Sequence, residues 1–168
     1  MRATIRPMLL TLATLLASAA WSASGAQAPA ACSLMTNAEI EQLTGQRFYS
    51  DPEPTSLAGG AGSACTYGTG KAQIVLFSGP KSRELWNAHL KNYGKDKEAK
   101  HPVPAAGDGA YVIYPKPRDE YEDTIGLLVV TSGPHTLGIS LAAPKGEPAE
   151  SVQPKLVALS KAVVAKLR

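Results

Sequence analysis

Cysteine is scarce in this chain of 168 residues, which carries only Cys32 and Cys65. No Cys-x-x-Cys spacing occurs and no histidine adjoins either thiol, so the usual marks of a redox dithiol or a zinc site are missing. Histidine is almost as rare: His89, His101 and His135 are the three. No two of them stand one helical turn apart, and there is no His-Glu-x-x-His helix, which leaves metal-dependent hydrolysis without a local signature. Gly-x-Ser-x-Gly is also absent, so an α/β-hydrolase nucleophile elbow is excluded. There is no cluster of basic residues of the kind that tracks a nucleic-acid backbone. Lys95, Lys97 and Lys100 are interleaved with Asp96 and Glu98, the pattern of a solvated connection.

Long apolar runs are confined to the start of the chain. Arg2 and Arg6 precede the uncharged stretch 8–20, and small residues follow at Ser22, Ala23, Ser24, Gly25 and Ala26. That three-part order is the architecture of a secretory signal peptide. Ser24 and Ala26 suit the −3 and −1 positions, which places the cut after Ala26 and makes 27–168 the mature domain. The run falls short of the about 20 residues a membrane span requires, and nothing later comes close. The expected location is periplasmic or secreted. A competing reading is a lipoprotein cut before Cys32, since Ala30 and Ala31 are small. Against it, Pro29 stands where a Leu-like residue belongs, and Cys65 would lose its partner.

Removing 26 residues leaves 142, enough chain for one domain with a single core. The formal charge of +3 includes Arg2 and Arg6, so the mature chain is near +1 and the sequence pI of 8.9 overstates its basicity. In an oxidising compartment Cys32 and Cys65 are expected to join. The bridge would close a loop whose chain-entropy contribution is about 3.5 kcal/mol.

Local signals are dense. Thr36 as N-cap, Glu39 three residues on, a Met35–Ile40 staple and Gly45 as terminator predict a first helix over 37–44. The Pro- and Gly-rich stretch 51–62 is expected to be loop. Segments 63–67 and 72–77 flank Gly68-Thr69-Gly70 as a hairpin. A second helix over 81–93 carries Leu85, Trp86, Leu90 and Tyr93 on one face, and 95–109 is expected to be irregular. Strands are expected over 110–114, 124–131 and 135–141. Leu137, Ile139 and Leu141 alternate with Thr136, Gly138 and Ser140, predicting one buried and one wet face. The strand around 125–130 is apolar on both sides and is the expected sheet centre. A last helix over 149–167 bears a stripe of Val152, Leu156, Leu159, Val163 and Leu167. The fold class is therefore α+β, helices packed on an antiparallel sheet, in the order α-β-β-β-α-β-β-β-α; the first strand of the first trio is not individually signalled.

Three short words in this order carry a resemblance: Cys32-Ser33-Leu34-Met35-Thr36 opening the first helix, Cys65-Thr66-Tyr67, and Val103-Pro104-Ala105-Ala106-Gly107-Asp108-Gly109-Ala110-Tyr111. Together they resemble a group of small exported bacterial proteins of unknown function, and the topology is similar to the PsbP-like fold. The resemblance implies an envelope-associated domain with a Cys32–Cys65 bridge, used for binding or assembly. It brings no catalytic residues and no cofactor. It departs in lacking a separate lipidated cysteine upstream.

Candidate functional residues follow from what remains. Asp119, Glu120, Glu122 and Asp123 surround Tyr121 in a loop that Lys116 and Arg118 partly neutralise; the spacing is not that of an EF-hand. With Tyr111 and Tyr114, and a sheet face free of helices, they form the expected contact surface for an envelope protein or a small apolar ligand. The glycines of 59–62 and 107–109 lead into strands rather than helices, so they read as turns, not phosphate cradles. The expected function is non-catalytic binding. The alternative is an enzyme with a dispersed active site using His89 or His135 as base, since triads are defined by geometry and not by sequence order.

Overall fold

The computed structural model describes residues 30–93, 99–117 and 123–168; the expected signal segment 1–26 and the loop residues 119–122 lie outside these. Three helices and seven strands occur in the order α1 (Asn37–Thr44), β1 (Glu53–Leu57), β2 (Gly62–Tyr67), β3 (Ala72–Ser78), α2 (Ser82–Leu90), β4 (His101–Pro102), β5 (Tyr111–Ile113), β6 (Ile125–Ser132), β7 (His135–Ala142) and α3 (Gln153–Lys166). All strands join one antiparallel sheet ordered β1-β2-β3-β7-β6-β5-β4. Two meanders of consecutive strands thus meet where β3 pairs with β7.

The strongest local signals fix α1. The Thr36 hydroxyl accepts from the Glu39 amide, the Glu39 carboxylate accepts from the Thr36 amide at 2.7 Å, and Gly45 ends the helix at φ 71. At the other hairpin, Gly133 at φ 55 followed by Pro134 supplies the type II′ turn pattern that joins β6 to β7 at Ser132↔His135.

Four expectations are corrected. The stretch 51–62 is not all loop, because β1 runs through it. Its five residues carry no apolar alternation, and the strand rests on backbone pairing with β2, with only Leu57 packed on the core. The second half has four strands rather than three: His101 and Pro102 pair with Val112 and Tyr111 in a region expected to be irregular. The sheet centre is β7, not β6, since the second meander ends on β7 and docks there on β3. Finally, the Thr136, Gly138 and Ser140 side of β7 is dry.

That last correction follows from helices on both faces. Beneath α1 and α3, a row of directly opposed residues runs Cys65, Ile74, Ile139, Leu128, Val112 across five strands. It packs against Ile40, Leu156, Leu159 and Val163. On the opposite face the row Ala64, Val75, Gly138, Val129, Tyr111 lies beneath α2, whose Trp86 is 1% exposed. A Cβ on Gly138 would stand 2.2 Å from the Trp86 indole, so the missing side chain is the slot into which the ring fits. Thr136 donates to the Ser82 hydroxyl at 3.2 Å, which satisfies two buried polar groups in the same layer. Both sheet faces thus carry helix, which also corrects the expected helix-free contact face.

Cys32 and Cys65 are joined. The turn Ala31–Ser33 that carries Cys32 is held on β2 a second time by Ala31 N–H donating to Ser63 Oγ at 3.0 Å. Tyr67 donates its hydroxyl to the Met35 carbonyl at 2.9 Å, so the approach to α1 is pinned from both sides.

Candidate functional site

One end of the sheet gathers four chain segments. The β2–β3 turn brings Lys71, the approach to β6 brings Asp123 and Thr124, the exit of β7 brings residues 142–147, and the segment after α1 brings Gln46 and Arg47. Between them lies an open cleft of about 700 Å³, within the size range of small-molecule sites. Its floor is backbone already in use. Ala142 N–H donates to the Lys71 carbonyl at 2.7 Å, Ala143 N–H to the Thr124 carbonyl at 2.7 Å, and Gln46 Nε2 to the Ala142 carbonyl at 2.8 Å.

The rim is charged. Arg47, Lys71 and Lys145 face Asp123 and Glu147. Lys71 Nζ lies 2.6 Å from Asp123 Oδ2, with both side chains about half exposed, so that pair contributes little to stability. Arg47 and Lys145 form no ion pair among the described residues. Arg47 is set in place by its neighbour: Phe48 is buried, its ring edge-on to Tyr67 at 6.5 Å and pressed against Gly68. The chain alternation that buries Phe48 leaves Arg47 and Tyr49 outside, Tyr49 89% exposed.

Of the residues expected to form a contact surface, Asp123 lines this cleft, whereas Asp119, Glu120, Tyr121 and Glu122 are outside the described residues. Tyr111 and Tyr114 are half-buried and belong to different faces of the sheet. Tyr111 accepts from Trp86 Nε1 at 3.3 Å and lies under the Lys100 ammonium, 4.6 Å from the ring centre. Tyr114 donates to Gln153 Oε1 at 2.6 Å on the α3 side, and burial, reinforced by the charge of Glu150, pushes its phenol pKa up. The two rings are thus engaged within the fold rather than presented together.

The histidines do not converge. His89 packs among Phe77, Trp86 and Tyr93 at ring-centre distances of 5.6, 5.7 and 5.6 Å. Its Nε2 is buried without a hydrogen-bond partner among the described residues, and burial lowers its pKa. His89 is thus half-buried and held by aromatic faces. His135 Nδ1 shares a hydrogen bond with Ser78 Oγ at 2.8 Å across the β3–β7 pair, and among the described residues no carboxylate joins them. Ser78-Gly79-Pro80-Lys81 has the letters of a Ser-x-x-Lys motif. The motif's chemistry needs both side chains aimed at one point; here Ser78 ends a strand and turns to His135, while exposed Lys81 caps α2. His101 is exposed, its ring 5.5 Å from that of Tyr114.

Sequence reasoning missed Gln46, Arg47, Lys71 and Lys145. They come from three separate loops, Gln46 and Arg47 adjacent in one and Lys71 and Lys145 in the others, with no spacing to link them; only the sheet topology brings them to one end.

Among the described residues no three His, Cys, Asp or Glu side chains group as metal ligands, and no helix is long and apolar enough to cross a membrane. The molecule is thus an α+β domain with one disulfide, an antiparallel sheet helix-covered on both faces, and a charged cleft at the sheet end. No family model matches the chain, and no curated protein is similar to it.

Proposed function

We propose that this chain is an exported, non-catalytic binding domain, and that the sheet-end cleft is where it meets its ligand or partner. The cleft itself carries the reading. It is open, of small-molecule size, and rimmed by two cations without ion pairs, and among the described residues its walls contain no nucleophile beside a base. The basic-apolar-small order of the first 26 residues and the joined cysteines support export to an oxidising envelope or extracellular compartment. The resemblance to small exported bacterial proteins points the same way. The polar rim turns the expectation of an apolar ligand toward a polar one.

The test is intact mass, native and then denatured, on protein purified from its own cell envelope. Extra mass that leaves on denaturation is the expected result. A chain beginning at residue 27 would support the export reading, whereas one beginning at a mass-shifted Cys32 would replace it with the lipoprotein. A bare native mass together with no cross-linked partner would sink the binding reading. Turnover of any substrate that His89→Gln or His135→Gln abolishes would replace it with the enzyme alternative.

A further inference from the structure

We infer that the sheet-end cleft recognises an anionic group, a carboxylate or phosphate on a small ligand, through Arg47 and Lys145. This rests on the binding reading above and names the ligand class for that site. Among the described residues the rim charges do not cancel: three cations stand against two carboxylates, and the Lys71 ammonium is already matched by Asp123 at 2.6 Å. Arg47 and Lys145 are left facing Glu147, both exposed and neither hydrogen-bonded nor ion-paired among the described residues.

The floor cannot do the recognising, since the Ala142 and Ala143 amides and the Lys71, Thr124 and Ala142 carbonyls are committed to the fold. Affinity must come from the rim side chains, and the two unmatched ones complement each other. A guanidinium is a planar fork that fits two oxygens of a carboxylate or phosphate at once, and an ammonium adds a compact charge with rotatable donors. Their backbones are fixed, Arg47 by buried Phe48 on one side and Gln46 bonded to the sheet on the other, and Lys145 by the turn in which Glu147 N–H donates to the Pro144 carbonyl at 2.9 Å. A neutral or cationic ligand would leave the surplus positive charge of the described rim unanswered.

The experiment is an amide chemical-shift titration of the processed chain with inorganic phosphate and, separately, with succinate. Saturable shifts centred on Arg47, Lys71 and Gly146 are expected. Arg47→Gln and Lys145→Gln should each weaken binding about tenfold, the loss of one charge-assisted hydrogen bond. Lys161→Gln, an equal charge change on an exposed α3 residue outside the cleft, should bind as the parent does. A tighter response to phosphate assigns a phosphate-bearing ligand, and a tighter response to succinate a carboxylate. The inference is overturned by linear, unsaturable shifts with both probes, or by Lys161→Gln weakening binding as much as the cleft variants. If those results accompany a ligand seen by native mass, only the ligand class falls and the binding reading stands.

Discussion

Gly138→Ala places one methyl group against the buried Trp86 indole of the α2 layer, and its cost can be worked from the contacts. The new Cβ would lie 2.2 Å from Trp86 Cη2, 2.4 Å from Cζ3 and 3.1 Å from Cζ2. Ordinary carbon contacts lie near 3.8 Å, so the indole must retreat by roughly 1.5 Å. It has little room: Phe77, His89 and Tyr93 surround it, and Nε1 donates to the Tyr111 hydroxyl at 3.3 Å. Overpacking of this kind costs about 2–3 kcal/mol, offset by up to about 1 kcal/mol because alanine loses less backbone entropy in a strand. A net loss of about 2 kcal/mol is expected. Trp86→Phe removes the outer ring atoms that make the clash, at its own cost of about 1–2 kcal/mol for lost contacts and the lost hydrogen bond. In that background the methyl has a place to go, and Gly138→Ala should cost less than about 0.5 kcal/mol. Urea unfolding followed by circular dichroism gives midpoints and slopes for all four proteins, and the cycle should show coupling of about 1.5–2 kcal/mol with an unchanged slope. Additive effects, or a Gly138→Ala variant as stable as the parent, would refute the slot-and-ring account.

Replacing both Cys32 and Cys65 by Ser should lower unfolding free energy by about 3.5 kcal/mol in the same assay, and reduction of the parent should reproduce it. The Glu39 carboxyl is held down at about 2, first by Lys166 at 2.6 Å and then by the Thr36 amide. A depressed folded value stabilises above the ordinary carboxylate value of 4.5 and fades as pH falls toward 2, so the stability gap between parent and Glu39→Gln should close over that window. The side chain is 40% exposed, which limits the gap at neutral pH to under about 1 kcal/mol. Burial pushes the Tyr67 and Tyr93 phenols up to about 12. Raised folded values stabilise below pH 10 and lose that contribution as pH climbs through 12, so tyrosinate absorbance should show a late phase coincident with alkaline unfolding. Gly68→Ala should destabilise by at least about 1 kcal/mol, since the position sits at φ 56 and a Cβ would lie 2.2 Å from Phe48 Cδ1; melting temperature is the readout.

What could be read from the residues was whatever they settle among near neighbours. The first helix matches its expected bounds because Thr36, Glu39 and Gly45 satisfy its ends without help from the rest of the chain. The β6–β7 hairpin matches within a residue because Gly133-Pro134 permits one tight turn. Failures occur where a distant partner decides. Glu53-Pro54-Thr55-Ser56-Leu57 looks like loop until β2 offers its edge. Thr136, Gly138 and Ser140 look wet until Trp86 arrives from another element. The cleft is the extreme case, since Arg47, Lys71, Asp123 and Lys145 are spread over nearly a hundred positions of sequence and acquire meaning only where β2, β3, β6 and β7 end together.

The two margins of the sheet bear on how this molecule can keep company. One is β1, whose five residues include Pro54, and the other is β4, two residues long and ending in Pro102. An incoming strand needs a row of free donors to grip, and each proline removes one. Both borders are thereby blunted as templates for an incoming strand. Crowded copies of the chain find little edge on which to pair, and the helix-covered faces and the charged end offer a partner more surface than the ladder does.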